Sequence, residues 1–490
     1  MMKNKENLSS RRHFISIGAS SAAMLLGGAA LAQTAAQTTA HTAKTSQASA
    51  EMLGNGDTFT FDSVESMKAA KDLKAGDIAY TLGFHQAGDD GDNAYLIVPS
   101  SNNSENGIQL DLSNGLAAKG LFPGGEYRVE QFGAIGIANS DSSSLKPDNT
   151  QAMQLAHNTG KVITYGAKHY YFSTVSIPTG GINGKGENTV LVSTDATAKD
   201  VITYQGVNEE GEHSANFSHF MLTRNTATQK VQGAGIRFIA SSKNQSYSAL
   251  VSKVKIENIP TGIHASSQVF YSIQDSLLSG YSKYGLYIEA TNSETSLQNS
   301  LVQNNTLHSE FSDAIAVSYH AGNVNIINNN ILGGSVGIDL TGNNSQTMVQ
   351  ITGNTLEGQN QNGIRFGSQA SGLKTESDFS QVLVSQNRIN ATRTSGAAIY
   401  AAPTHFPLSD LSINNNLIRF LGDEDSVAAI NLNNCSRFMV NNNTINCENG
   451  RGHRGIFVGE DCSSGVLSAN HVILPLNGHT LNQSKTTTVV

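Results

Sequence analysis

"VQITGNTLEGQNQNGIRF", Val349 to Phe366, and "FMVNNNTINCENGRGHRGI", Phe438 to Ile456, repeat one phrase. Each runs an apolar residue, two spacers, an Asn, one spacer and another aliphatic, then reaches a small residue followed by Ile. The phrase recurs with its Asn at 305, 329, 354, 387, 416, 443 and 470, at intervals of 24, 25, 33, 29, 27 and 27 residues. A period of this size with variable insertions is that of a repeat array built one coil per repeat. Val349 and Ile351 alternate with polar residues, as in a strand with one face buried. The second half of each coil carries another short run: "GLYI" at 285–288, "GIDL" at 337–340, "GIRF" at 363–366 and "GIFV" at 455–458. The units are too rich in Gly and Asn for the helix that a leucine-rich repeat requires. The fold expected is an all-β parallel β-helix, in which coils lie about 4.8 Å apart and equivalent residues stack in columns. The recurrent Asn then reads as architecture: it tolerates left-handed backbone, and its amide can bond to the turns above and below.

The 490 residues carry a net charge of −8 and no long basic run, so neither nucleic acid nor an anionic membrane is an expected partner. Three cysteines, Cys435, Cys447 and Cys462, without CxxC spacing argue against a disulfide framework and a zinc site. Residues 1–32 look like a twin-arginine export signal: Arg11 and Arg12, a short apolar run rich in Gly and Ser, and Ala30-Leu31-Ala32 for cleavage. The expected location is therefore periplasmic or secreted, with no membrane span once the signal is removed. Residues 33–57 are low-complexity Thr, Ala, Gln and Ser, read as a flexible linker. A β-rich entry module is expected over 58–125, the coils over 126–480 and a disordered tail over 481–490. Within the coil region's entry, Asp148 or Asn149 can cap a helix over 150–158 whose apolar residues are Ala152, Met153, Leu155 and Ala156. Such a helix would cover the unpaired first coil.

Phe132-Gly133-Ala134, then Asp148-Asn149-Thr150 with Ala152, then "VITYGAKHYYFST" resemble the entry of the pectate-lyase superfamily of single-stranded right-handed β-helix proteins. The preceding "LKAGDIAYTLGFHQAGDDGDNAYLIV" is similar to the small module ahead of that region in tailspike-like members. The resemblance implies a right-handed helix and polysaccharide as partner. It chooses no reaction, because the superfamily holds lyases, hydrolases, epimerases, fructotransferases and proteins without known activity. The Trp motif of pectate lyases needs a Trp this chain lacks; Gly452-His453-Arg454-Gly455 matches the polygalacturonase set only in part, and the alginate-epimerase signature is missing.

Aligning the residue after each Gly-Ile or Ala-Ile aliphatic gives Arg237, His264, Tyr287, Ala316, Asp339, Arg365, Tyr400, Asn431 and Phe457. Glu289 and Ser318 lie two positions further on, with Tyr319 and His320 at the turn beyond. No structural rule demands such variety in a column, so this is the candidate substrate face. The catalytic candidates are His264, Tyr287, Glu289, Asp339 and Arg365; the substrate-binding candidates are Arg237, Tyr319, His320, Tyr400 and Asn431. The leading expectation is a polysaccharide lyase, since β-elimination needs a cation beside the uronate carboxylate and a base for the adjacent proton. Hydrolysis or glycosyl transfer needs paired carboxyl groups. Glu289 and Asp339, two coils apart, are expected about 10 Å from each other, with Glu310 or Asp313 between them. A carbohydrate-binding or surface-structural β-helix is the non-enzymatic alternative, and a homotrimer is compatible with its exposed faces. No metal or cofactor is indicated: "GDDGD" at 88–92 lacks calcium-loop spacing and reads as a turn.

Overall fold

The computed structural model describes residues 56–489 except 101–106, 140–145, 198, 207–213, 226–231, 240–246, 267–268, 290–299, 311, 319–321, 341–345, 368–378, 395, 404–406, 423–427, 448–453, 474–478 and 483–485. The expected signal and nearly all of the linker fall outside these residues. The coils stack into two sheets. One has twelve strands, from Val175–Ile177 to His479–Asn482, each parallel to the next. The other, of 26 strands, takes two from a typical coil, such as Ser300–Gln303 and Thr306–Ser309.

The Gly-Ile phrase has a physical cause on the twelve-stranded sheet. Its aliphatics Ile236, Ile263, Leu286, Ile315, Ile338, Ile364, Ile399 and Ile430 form one fully buried column. The residue before each aliphatic meets the next coil's backbone. A Cβ at Gly262 would lie 2.5 Å from the Gly285 carbonyl oxygen, and one at Gly363 2.7 Å from that of Ala398. At these coils the close approach admits only Gly, while Ala314, Ala398 and Ala429 hold the equivalent position in others.

The Asn column is a buried ladder. Asn329 is typical: its Oδ1 accepts from the Asn305 N–H at 2.9 Å and Nδ2 at 3.0 Å, while its Nδ2 donates to the Val302 carbonyl at 2.9 Å and Asn354 Oδ1 at 3.0 Å. The same links continue through Asn387, Asn416 and Asn443 to Asn470. Ser276 begins the run, donating its N–H to Asn305 Oδ1. The two roles expected of one Asn fall on neighbours instead. Left-handed backbone belongs to the preceding residue, at Asn304, Asn328, Gly353, Gln386, Asn415, Asn442 and Ala469, and the following Asn supplies the amide.

The entry module is a five-stranded sheet with its own core around Met67, Tyr95 and Ile97. Its helix α1 (Val64–Ala69) is capped by Ser63, which exchanges hydrogen bonds with Ser66. The "GDDGD" segment is organised by Asp89, whose carboxylate accepts the backbone N–H groups of Phe84, His85, Gln86 and Gly91. Helix α2 (Thr150–Asn158) buries Met153, Ala156 and His157. Asp148 accepts the Thr150 N–H, while Asn149 turns inward to the backbone of Ile135. Gln154 of α2 completes the edge: its amide donates to the Ser176 carbonyl at 2.7 Å and accepts the Ser176 N–H at 3.0 Å. The first strand's open backbone groups are thereby satisfied by a side chain. At the other end the expected disordered tail is corrected in part, because Thr488–Val489 pairs in parallel with Val466–Leu467, extending the array.

Candidate active site on the twelve-stranded sheet

Parallel, in-register pairing sets Arg237, His264, Tyr287, Ala316, Asp339, Arg365, Tyr400, Asn431 and Phe457 side by side, one per coil. Alternation along each strand points the flanking aliphatics into the core and leaves this row on the outer face. Two ionic clusters occupy its middle.

In the first, Arg237 Nη1 donates to His264 Nδ1, and His264 Nε2 meets Glu289 Oε1 at 2.6 Å. A guanidinium can only donate, so Nδ1 is the acceptor and the ring carries its proton on Nε2, directed at Glu289. Arg237 Nη2 lies 3.7 Å from the same carboxylate. The Tyr287 ring packs 4.7 Å from His264, centroid to centroid. Burial pushes the Glu289 carboxyl up, but the hydrogen bonds of His264 and Tyr287 and the charge of Arg237 outweigh it and hold the group below the usual range. Glu289 is thus ionised. With both ring nitrogens engaged, His264 orients Glu289. In Arg237→Ala the carboxylate loses part of that support, so the acidic limb of an activity profile should move to higher pH. An unmoved limb under uniformly lowered activity would make Arg237 a packing residue only.

In the second, Arg365 forks onto Asp339, Nε to Oδ1 at 2.8 Å and Nη2 to Oδ2 at 2.5 Å. Asp313, in the coil before Asp339, accepts the Val336 N–H at 3.1 Å and a hydrogen bond from the Ser335 side chain. Burial, then the negative charge of Asp339, push the Asp313 carboxyl up to about 6, against the pull of Arg365. Tyr284 precedes Asp313 in register and stacks on Tyr287 at 4.8 Å, so the two rings form a shelf between the clusters. Burial and the charges of Asp313 and Asp339 also raise the Tyr284 hydroxyl.

The expected Glu289 and Asp339 pair is corrected by the register. Glu289 lies opposite Ser318, whereas Asp339 lies opposite Ala316, so the two carboxyls are offset along the strand and belong to separate clusters. The intervening coil supplies the carboxyl that matters, Asp313; Glu310 is an exposed residue after the strand Thr306–Ser309. Tyr400 and Asn431 continue the row beyond Arg365, where Asn433 donates to Asn431 at 2.7 Å and the Arg454 guanidinium lies 5.4 Å above the Phe457 ring. Tyr319 and His320 lie outside the described residues. Tyr284 escaped the alignment because it sits at the strand's first position, three residues before the row; the recurring ionisable residue just ahead of Gly or Ala, as in Asp313-Ala314, is the signal for it. Among the described residues no group of three or more His, Cys, Asp or Glu is arranged to hold a metal ion, and no helix is long and apolar enough to cross a membrane.

Residues 234–419, which contain both clusters, match the family model described as right handed beta helix region. No curated protein matches the sequence. Among solved structures, the Azotobacter vinelandii mannuronan C-5 epimerase AlgE4 A-module superposes with TM-score 0.56 at 16% identity, covering 74% of this chain and 100% of that one. The tailspike protein gp49 of Acinetobacter baumannii bacteriophage Fri1, a capsular polysaccharide depolymerase, gives TM-score 0.52 at 13% identity over 86% of this chain and 75% of its own. The Agl-KA catalytic domain gives 0.53 at 15% identity, over 78% and 73%. At such identities the likeness is one of fold, and the protein is a right-handed parallel β-helix.

Proposed function

We propose that this protein is an exported enzyme that cleaves glycosidic bonds in a polysaccharide laid across the row from Arg237 to Phe457. The observation that carries this reading is the displaced carboxyl of Asp313, opposite Tyr284 of the Tyr284 and Tyr287 shelf. Asp313 is pushed up to about 6 and so keeps its proton into mildly acidic solution, where an ordinary carboxyl and Glu289 are ionised. A carboxyl raised in this way is suited to be the general acid of glycoside hydrolysis. Asp313 gives its proton to the glycosidic oxygen as the carbon–oxygen bond breaks. A water attacks the anomeric carbon and releases its proton to solvent; Glu289, five residues further along the strand of the neighbouring coil, is beyond the spacing of an acid–base pair with Asp313 and holds the glycan. Burial and the charge of Asp339 favour the protonated Asp313, against the pull of Arg365.

The substrate class in this reading is a neutral glycan. Three carboxyl groups, Glu289, Asp313 and Asp339, face two arginines, and each arginine is already engaged by the groups beside it. A uronate would find no ready counter-charge. Polysaccharide itself is supported by the fold, the outward-facing row and two structural neighbours, a mannuronan C-5 epimerase module and a capsular polysaccharide depolymerase.

Elimination is the second reading, favoured by one observation: Arg237, His264 and Tyr287, side chains of the types it needs, lie together. The test incubates the mature chain with neutral and acidic polysaccharides, following reducing ends and the ultraviolet absorbance of unsaturated uronides in parallel. New reducing ends without absorbance are expected. Absorbance rising on an acidic polymer would transfer the case to elimination, and retention of glycan with neither signal would make the chain a binding protein.

A further inference from the structure

Near the far end of the array, two of the three cysteines are brought to the same level of neighbouring coils. Ser436 and Ser463 form a parallel bridge, and the Ser463 N–H donates to the Cys435 carbonyl at 2.9 Å, so Cys435 and Cys462 face each other across one coil step. Cys435 Sγ lies 3.3 Å from the Asn433 carbonyl oxygen and Cys462 Sγ 3.5 Å from that of Leu432, adjacent residues of one turn. Neighbouring coils stand about 4.8 Å apart, inside the roughly 4.4–6.8 Å between Cα atoms that a disulfide spans. Both side chains are buried. The third cysteine, Cys447, closes a different strand, Thr444–Cys447.

We propose that Cys435 and Cys462 are a disulfide-forming pair that staples the last coils when the protein meets a small disulfide oxidant such as oxidised glutathione. The Cys435 thiol donates to the Cys462 sulfur, which raises the Cys435 thiol and lowers that of Cys462. Cys462 is therefore the attacking thiolate. It displaces one glutathione thiolate to give a mixed disulfide; Cys435 then attacks the Cys462 sulfur and releases the second glutathione. One bond between the two protein sulfurs forms, both protein S–H bonds are lost, and the oxidant's disulfide is reduced to two thiols. Burial pushes the Cys447 thiol up to about 11, leaving it a poor competitor.

The position suits the architecture. Helix α2 and the entry module cover the first coil, whereas among the described residues no helix lies over the last ones. Coils of a stacked array open locally at less cost than the whole array unfolds, and such opening admits the oxidant. The bond would close a loop spanning positions 435 to 462 and hold the strand Arg454–Val458 within it.

The test uses the full mature chain after incubation with oxidised glutathione or with dithiothreitol. Thiols are counted after unfolding, the linked peptides are mapped, and the unfolding rate of the C-terminal coils is followed by hydrogen exchange. The reduced chain should titrate three thiols; the oxidised chain should titrate one, assigned to Cys447, with a peptide joining Cys435 to Cys462. Opening of the C-terminal coils should slow by about tenfold or more on oxidation, in Cys447→Ser as in the parent but not in Cys462→Ser. Three thiols remaining, a link that uses Cys447, or a glutathione adduct that never closes would each overturn the proposal.

Discussion

Asp313→Asn should lower kcat on the cleaved glycan by about 10²–10⁴, the usual worth of a positioned general acid. The substitution preserves shape and the acceptor oxygen facing the Val336 N–H, so the fold should persist. What it removes is the transferable proton. The pH profile provides the finer reading. Activity requires Asp313 protonated, so the alkaline limb should fall near the displaced Asp313 value of about 6. In Asp339→Asn the negative charge that helps raise Asp313 disappears, and the unpaired Arg365 guanidinium stabilises the Asp313 carboxylate further. Both changes lower the Asp313 pKa, so the alkaline limb should move to lower pH while activity on the acid side survives better than activity near neutrality. Asp313→Asn retaining activity within about tenfold of the parent would remove Asp313 as proton donor. A profile in Asp339→Asn that shrinks without moving would leave Asp339 as a structural partner of Arg365 alone.

Sequence and structure agree where one rule repeats and part where contacts depend on rotamers. Counting from each Gly-Ile or Ala-Ile recovered the whole row from Arg237 to Phe457 because parallel pairing preserves register through loops of any length. Distances within the row were harder to read. A coil step gives separation along the axis, but Glu289 and Asp339 also differ by two residues along the strand, and that offset separates them. Asp313 stood three residues ahead of the counted position on the same strand, so its partnership with Asp339 depended on a side chain reaching along the sheet. His264 read as a base by residue type. Its role as an orienter follows only from Arg237 approaching Nδ1, a contact no spacing encodes. The cysteines carry the same lesson: an odd count argued against pairing, and the coil geometry pairs two of them.

Asn329→Ala should destabilise the array by about 3–9 kcal/mol, since each buried hydrogen-bonding group left without a partner costs ~1–3 kcal/mol. Three groups are stranded: the Asn305 N–H, one Asn305 Nδ2 hydrogen, and the Val302 carbonyl. The side chain is 1% exposed, so little water is at hand to replace it. Asn328→Ala, one residue earlier, makes the contrast. There the backbone is left-handed, with φ at 55°, and the expected loss is the ~1–2 kcal/mol of placing a non-Asn, non-Gly residue in that region. Hydrogen exchange across residues 300–340 in increasing urea measures both, because opening in a stacked array is local to the broken interface. Equal losses in the two variants would mean that the ladder's amides add nothing beyond turn geometry. The choice of Asn329 also links architecture to chemistry. Asn305 precedes the strand Asp313–Ser318 in its coil, and Asn329 precedes Val336–Leu340 in the next. Their hydrogen bonds therefore clamp together the two coils that bear Asp313 and Asp339. Loosening that clamp should weaken the coupling between those carboxyls, so at temperatures where Asn329→Ala remains folded its alkaline limb should shift in the same direction as that of Asp339→Asn, by a smaller amount.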